Sequence, residues 1–288
     1  MLTTFGLLGL SIISVWLPEI QLKKNFTVPP WLLLFLCAIA SGVLAGYLNW
    51  IAIITLTLFV VISYLATRSN TSFLQRFSFS SIAILAALLF AMHLIPGFNN
   101  PILIANIKFS ADSSAFTQYA NFDKGAAGII LLAFFCNRVQ SFSELISMLR
   151  RAYSPILITI TGVIVTGISI GYVKPDIKLP AFTPIFLTTN LLFTCIAEEA
   201  FFRGFLQDRL TRKLSSVHFG GKIAIFLSGI LFGAAHFAGG SIYVMLATLA
   251  GLGYAYAYAI TQRIEIPILT HFIFNAVHFI GFSYPHIQ

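Results

Sequence analysis

The sequence has few charged residues. Only 9% of its 288 residues are Asp, Glu, Lys or Arg, and 58% are hydrophobic, whereas a soluble domain carries about 25% charged residues. This shortage excludes a soluble globular protein and predicts a chain that lies mostly in lipid. The net charge of +8 does not indicate nucleic-acid binding, because the basic residues lie in short segments between apolar runs, where they meet lipid headgroups.

Several chemical signatures are also missing. The three cysteines, Cys37, Cys136 and Cys195, lack metal-ligand spacing, and no HExxH pattern occurs. No serine or cysteine stands in a credible nucleophile setting. We see no internal repeat and no soluble domain. The first apolar run lacks a basic start and a small-residue cleavage site, so we expect a retained span rather than a removed signal peptide.

Apolar runs that can cross about 30 Å of hydrocarbon, or nearly so, recur along the whole chain. They predict an all-α fold, a polytopic bundle of about ten transmembrane helices, with eight as the alternative count. The weakest run, 125–137, completes a span only if the preceding NFDK lies at the interface. The loop 97–124 is expected to carry short structure at the outer surface. The runs are 2–17, 31–47, 49–66, 80–96, 125–137, 154–173, 181–205, 223–238, 241–260 and 264–283.

The distribution of basic residues favours ten spans. With ten alternating spans, the side that holds Lys23 and Lys24 carries twelve Lys and Arg, the other side carries four, and Arg203 lies inside a span. Cytoplasmic loops are rich in Lys and Arg, so both termini are expected on the other side. We expect a multi-pass protein of a bacterial inner membrane. Prolines in KPDIKLP separate N-terminal helices of unassigned role, residues 1–173, from a C-terminal catalytic core, residues 174–288.

Strongly polar residues inside spans are functional candidates, and they concentrate in the last four spans. In the first six spans only His93 qualifies. This asymmetry predicts a site built by the C-terminal helices. The candidates there are Glu198, Glu199, Arg203, His236, His271, Asn275 and His278.

The spacing of these residues predicts different roles. In an α-helix, Glu198 and Glu199 point about 100° apart, whereas Glu199 and Arg203 are four residues apart and share a face. We therefore expect a supporting Glu199–Arg203 ion pair, with Glu198 available to a second partner as the reactive carboxylate. His271 and Asn275 also share a face and can offer two hydrogen-bond donors to one point, as an oxyanion hole requires.

A glutamate and a histidine around one point can activate water as a general base. Glu198 and His236 would then hydrolyse a peptide bond with no covalent intermediate and no cofactor. The alternative is a zinc ion held by Glu198, His236 and His271, with an open fourth position. Counted from assumed helix ends at about 1.5 Å per residue, the group lies mostly in the cytoplasmic half of the membrane.

Three motifs carry a resemblance to a known family. EEAFFR at 198–203 reads as EExxxR, FGAAH at 232–236 as FxxxH, and HFIFN at 271–275 as HxxxN. In this order they resemble the CPBP family, which includes the CAAX prenyl proteases and bacteriocin-processing enzymes and is also called the Abi family. The resemblance covers about residues 180–280.

The resemblance implies an intramembrane endopeptidase of the glutamate type. Its partners would be the lipid bilayer and a membrane-associated protein or peptide, including lipid-modified substrates of the CAAX type, approached from the cytoplasm. No nucleic acid is implied. By this resemblance, Glu198 and His236 would activate the water. His271 and Asn275 would stabilise the oxyanion, and Glu199 and Arg203 would support the site.

Two functions of other classes stay open at this point. Buried Glu, Arg and His also mark the proton relays of transporters. Many transporters, however, show repeats with polar interruptions in both halves, and here the polar residues are confined to one half. A non-catalytic scaffold or immunity protein would keep the same residues without turnover.

Overall fold

A computed structural model describes residues 1–24, 26–68 and 70–288. Within these residues each of the ten apolar runs overlaps a helix, which confirms the all-α class. Three labelled segments, α7 to α9, belong to one long helix, Thr183–Lys213. The helices are α1 (Leu2–Ile13), α2 (Pro30–Leu44), α3 (Trp50–Thr67), α4 (Phe73–Ala91), α5 (Phe122–Phe135), α6 (Phe142–Ser169), α7 (Thr183–Thr189), α8 (Ile196–Glu199), α9 (Asp208–Lys213), α10 (Gly220–Ala234), α11 (Gly240–Thr261) and α12 (Glu265–Gly281).

Short strands occur outside the helices. β1 (Ile20–Lys23) pairs antiparallel with β2 (Phe26–Val28), and β3 (Ile102–Ile107) pairs with β4 (Phe116–Tyr119). The second pair lies within the loop 97–124, so this loop carries short structure as the sequence indicated. The side of the membrane on which it lies stays a prediction.

The chain is an integral membrane protein by the length and composition of its helices. Among the described residues, five helices are long and apolar enough to cross a membrane. The predicted count of ten spans is not confirmed, because several of the runs form short helices. α5 has 14 residues, which span about 21 Å against about 30 Å of hydrocarbon. The five are Trp50–Thr67, Phe73–Ala91, Phe142–Ser169, Thr183–Lys213 and Phe237–Thr261.

Polar residues at the helix starts define where helices begin. Ser72 and Gln75 form a reciprocal capping box at the start of α4. Asn49 caps α3, and the Ser141 hydroxyl accepts the backbone N–H of Glu144 at the start of α6. These caps satisfy backbone donors that have no partner inside the helix.

Contacts divide the chain into two compact units. In the first unit α5 is strongly enclosed, with ten of its fourteen residues buried. A Cβ on Gly128 of α5 would lie 2.9 Å from the Cα of Ala197 in α8, so the glycine permits a close approach of the two backbones. This contact sets the position of the segment that carries both glutamates. The first unit comprises residues 1–102, 119–136 and 192–201.

The second unit contains α6 and α10 to α12. Two buried clusters form its core, and Phe186 stacks on Phe279 with ring centres 3.8 Å apart. Only 17% of the apolar window of α6 is buried, so most of this helix presents apolar surface outward, as a lipid-facing helix does. The clusters are Ala152, Ile156, Ala257 and Ile266, and Ile104, Phe186 and Phe279. The unit comprises residues 103–118, 137–191 and 202–288.

Candidate active site

The helix that carries the EExxxR motif is not a regular α-helix. Glu198 and Glu199 lie in the short α-helical stretch Ile196–Glu199, which is flanked by π-helical stretches at Asn190–Cys195 and Ala200–Gln207. A π-helix bonds residue i to i+5, so its turns are wider than the α-helical turns assumed from the sequence. The expected ion pair with Arg203 rested on α-helical spacing, and it stays a prediction. Such π-helical stretches occur frequently at functional sites.

Glu198 lies at the middle of this helix. The predicted apolar run ends at residue 205, whereas the helix continues to Lys213. Glu198 is therefore fifteen residues from Thr183 and fifteen from Lys213. The assignment of the site to the cytoplasmic half of the membrane assumed that this helix ends earlier in the chain, and it stays a prediction.

Glu198 has an ion-pair partner that the sequence did not reveal. Within the first unit, the Lys124 ammonium donates to Glu198 Oε1 at 2.7 Å. Both side chains are largely enclosed, with 16% of Lys124 and 15% of Glu198 exposed. The only available signal was the position of Lys124 in NFDK, the polar stretch directly before the weakest apolar run.

Glu199 and Arg203 are both fully buried. The Arg203 guanidinium donates to the carbonyl oxygen of Gly251 at 2.8 Å. It also lies over the rings of Phe232 and Tyr254, at 4.5 and 5.4 Å from their centres. A buried cation is tolerated where hydrogen bonds and aromatic faces replace its water, so these contacts explain why an arginine can be enclosed in this part of the chain.

His236 lies just beyond the end of α10, and one hydrogen bond fixes its tautomer. Its Nδ1 is 2.7 Å from the carbonyl oxygen of Phe232. A carbonyl oxygen only accepts, so Nδ1 carries a proton, and in the neutral form of the ring Nε2 is then the acceptor nitrogen. The ring also meets Tyr243 edge-on, with centres 5.3 Å apart. His236 thus presents the nitrogen that a general base requires.

His271 and Asn275 lie on α12, as the sequence indicated, and each has a partner that was missed. The His271 ring is buried and stacks on Tyr254, with ring centres 4.8 Å apart and planes 17° from parallel. The Asn275 amide donates to the side-chain oxygen of the buried Asn190 at 3.1 Å. Asn190 stands in an apolar run, and its polarity was the signal available from sequence.

One aromatic ring brings three of the predicted site residues together in the second unit. The buried Phe232 ring lies 4.8 Å from the His236 ring and 5.6 Å from the His271 ring, and the Arg203 guanidinium lies over it. Phe232 is the first residue of the FxxxH motif. Its position in that motif therefore has a physical reason, since the ring packs against residues from all three motifs.

The described residues contain no group of three or more His, Cys, Asp or Glu side chains that could hold a metal ion. A catalytic zinc needs three protein ligands around one point. The zinc alternative, with Glu198, His236 and His271 as ligands, stays a hypothesis.

Comparison with known families assigns the C-terminal part of the chain. Residues 180–277 match the family model described as type II CAAX prenyl endopeptidase, Rce1-like. This segment is therefore similar to the CAAX protease family. All three motifs lie inside it, so the resemblance drawn from EExxxR, FxxxH and HxxxN is confirmed. No curated protein and no solved structure matched the chain.

The family match also indicates a class of reaction, peptide-bond hydrolysis. The matched family is a family of proteases, and the match supports a peptidase activity carried by a helical membrane protein. The match covers about a third of the chain. Helices α1 to α6 lie outside it, and Lys124, the partner of Glu198, is among the residues outside the match.

Proposed function

We propose that the protein is an intramembrane endopeptidase that hydrolyses a peptide bond in a membrane-associated, CAAX-type lipid-modified protein or peptide. The observation that carries the proposal is the match of residues 180–277 to the CAAX prenyl endopeptidase family, with the three motifs inside it in order. We further propose that it works in a bacterial inner membrane, with its site in the cytoplasmic half.

Water activation is assigned to Glu198 and His236. Glu198 takes a proton from water while the water oxygen bonds to the scissile carbonyl carbon, and the proton then passes to the leaving amine as the C–N bond breaks. The 2.7 Å contact with Lys124 supports this role, because it holds the carboxylate in a fixed position. The tautomer of His236 supports its role, because Nε2 can accept a hydrogen bond from the water.

Oxyanion stabilisation is assigned to His271 and Asn275. Both residues are on α12, and both are held by neighbours: His271 by the Tyr254 ring and Asn275 by Asn190. A donor that is held in place before the reaction stabilises developing charge without reorganisation. Arg203 supports the same region through Phe232.

The test is cleavage of an internally quenched, farnesylated CAAX peptide by purified protein in phosphatidylcholine vesicles. Loss of a general base lowers kcat by about 10²–10⁴-fold, which we expect for Glu198→Gln and His236→Ala. The matched controls are Glu19→Gln and His218→Ala, which change exposed residues and are expected to keep wild-type kcat. Wild-type kcat in either site variant, or no cleavage by the wild-type protein, would contradict the proposal.

The zinc alternative has its own measurement. We expect purified, active protein to contain less than stoichiometric zinc by elemental analysis and to keep its activity after chelator treatment. One zinc per chain, with activity lost to the chelator and restored by zinc, would establish the metalloprotease instead.

A further inference from the structure

Lys124 occupies an enclosed position in the first unit. It is the third residue of α5, a helix in which ten of fourteen residues are buried and Asp123 and Lys124 are the charged residues. An ammonium group is costly in such a place unless it is paired and hydrogen-bonded. The Lys124 ammonium lies 2.7 Å from Glu198 Oε1, and 16% of the lysine side chain is exposed.

The residues before Lys124 anchor the start of α5. The buried Asp123 carboxylate lies 2.7 Å from Nδ1 of His93 and accepts the Asn100 amide at 3.0 Å. It also accepts the backbone N–H of Lys124 at 2.8 Å. The Asn100 side chain in turn accepts the backbone N–H of Phe122 at 2.8 Å. The first turn of α5 is therefore held by side-chain contacts at the two residues before the lysine and at its backbone N–H.

Two glycines fix the distance between α5 and the helix segment that carries Glu198. A Cβ on Gly125 would lie 2.9 Å from the Phe193 ring, and a Cβ on Gly128 would lie 2.9 Å from the Cα of Ala197. The two backbones consequently lie as close together as these glycines allow. The distance between the Lys124 backbone and Glu198 is therefore determined by two features, the glycine packing of α5 and the hydrogen bonds that hold its first turn.

From this geometry we propose that Lys124 is a positioning residue for Glu198. It acts from α5, outside the segment matched to the protease family, and holds the carboxylate in one orientation. His93, Asn100 and Asp123 act behind it by fixing the helix start. The inference rests on the proposed function, in which Glu198 is the general base.

The test compares Lys124→Met, Lys124→Arg and the matched control Lys108→Met in the vesicle assay with the farnesylated peptide. Lys108 is an exposed lysine that binds Gln288. We expect Lys124→Met to lower kcat by about tenfold or more, since small misplacements of a reacting group carry large rate costs, with KM within about twofold of the wild type. Lys124→Arg keeps a cation and is expected to recover most of the rate, and Lys108→Met is expected to match the wild type.

Glu198→Gln, measured in the same series, separates the two proposals. If Glu198→Gln is inactive and Lys124→Met keeps wild-type kcat, the role of Lys124 is overturned and the proposed function stands. If Glu198→Gln keeps its activity, both fail. If Lys124→Met and Lys124→Arg lose activity equally and both melt at a lower temperature than Lys108→Met, the lysine is a folding requirement and the positioning role is overturned.

Discussion

Substitution of Gly128 by alanine tests whether α5 determines the position of the glutamates. The new Cβ would lie 2.9 Å from both the Cα and the Cβ of Ala197. Carbon atoms pack best at about 3.5–4.0 Å, so the two segments must separate by roughly 0.6–1 Å. Because Ala197 directly precedes Glu198, the carboxylate moves with it.

The expected effects on stability and on activity differ in size. Overpacking typically costs about 1–3 kcal/mol, and replacing a glycine by alanine within a helix returns about 0.5–1 kcal/mol. The free energy of unfolding should therefore fall by roughly 1 kcal/mol. A displacement of about 1 Å at a catalytic group can cost about a hundredfold in rate, so kcat should fall far more than stability.

The matched control is Gly162→Ala in α6, where a Cβ meets no atom within 4 Å. It should keep wild-type kcat and leave stability unchanged or raised by about 0.5–1 kcal/mol. The assays are denaturant unfolding in detergent and peptide cleavage in vesicles. Gly128→Ala with the kcat of Gly162→Ala would refute the reasoning that packing of α5 positions Glu198.

Two further predictions concern aromatic side chains of the second unit. Tyr254→Leu removes the ring stacked on His271 and is expected to lower kcat in the peptide assay. Tyr254→Phe keeps the ring and should keep most of the rate. Equal losses of kcat in both variants would show that the stacked ring does not hold the histidine. Burial raises the pKa of Tyr172 above 10.0, so its contribution to stability is complete below pH 10 and is lost as the pH rises through the higher folded-state value. Melting temperatures measured from pH 8 to 12 should therefore fall less steeply for Tyr172→Phe than for the wild type, and parallel curves would contradict the assignment.

The sequence predicted the helical elements well, because hydropathy reports directly on burial in lipid. Each apolar run overlaps a helix, and His271 and Asn275 lie on one helix as their spacing indicated. The number of membrane crossings was harder to predict from the sequence. The short α5 is apolar and enclosed by protein, and hydropathy does not distinguish protein surroundings from lipid.

The roles of the motif residues stay predictions, and the side chains that contact several of them were missed. Lys124 and Glu198 are 74 residues apart in the chain, and no local pattern connects them. The π-helical stretches beside Glu198 were also inaccessible, because they are defined by backbone hydrogen bonds and leave no hydropathy signal. Asn190 was overlooked because a neutral amide in an apolar run carries less weight than a charge, although its partner is Asn275.

The central claim is that Glu198 activates water instead of attacking the peptide itself. The most direct measurement is a single turnover of the farnesylated peptide in ¹⁸O-labelled water with enzyme in excess, followed by mass spectrometry of the product and of the enzyme. The account predicts one ¹⁸O in the new carboxylate of the product and none in Glu198. Label in Glu198, with unlabelled oxygen in the product, would show a covalent intermediate on this residue and contradict the mechanism.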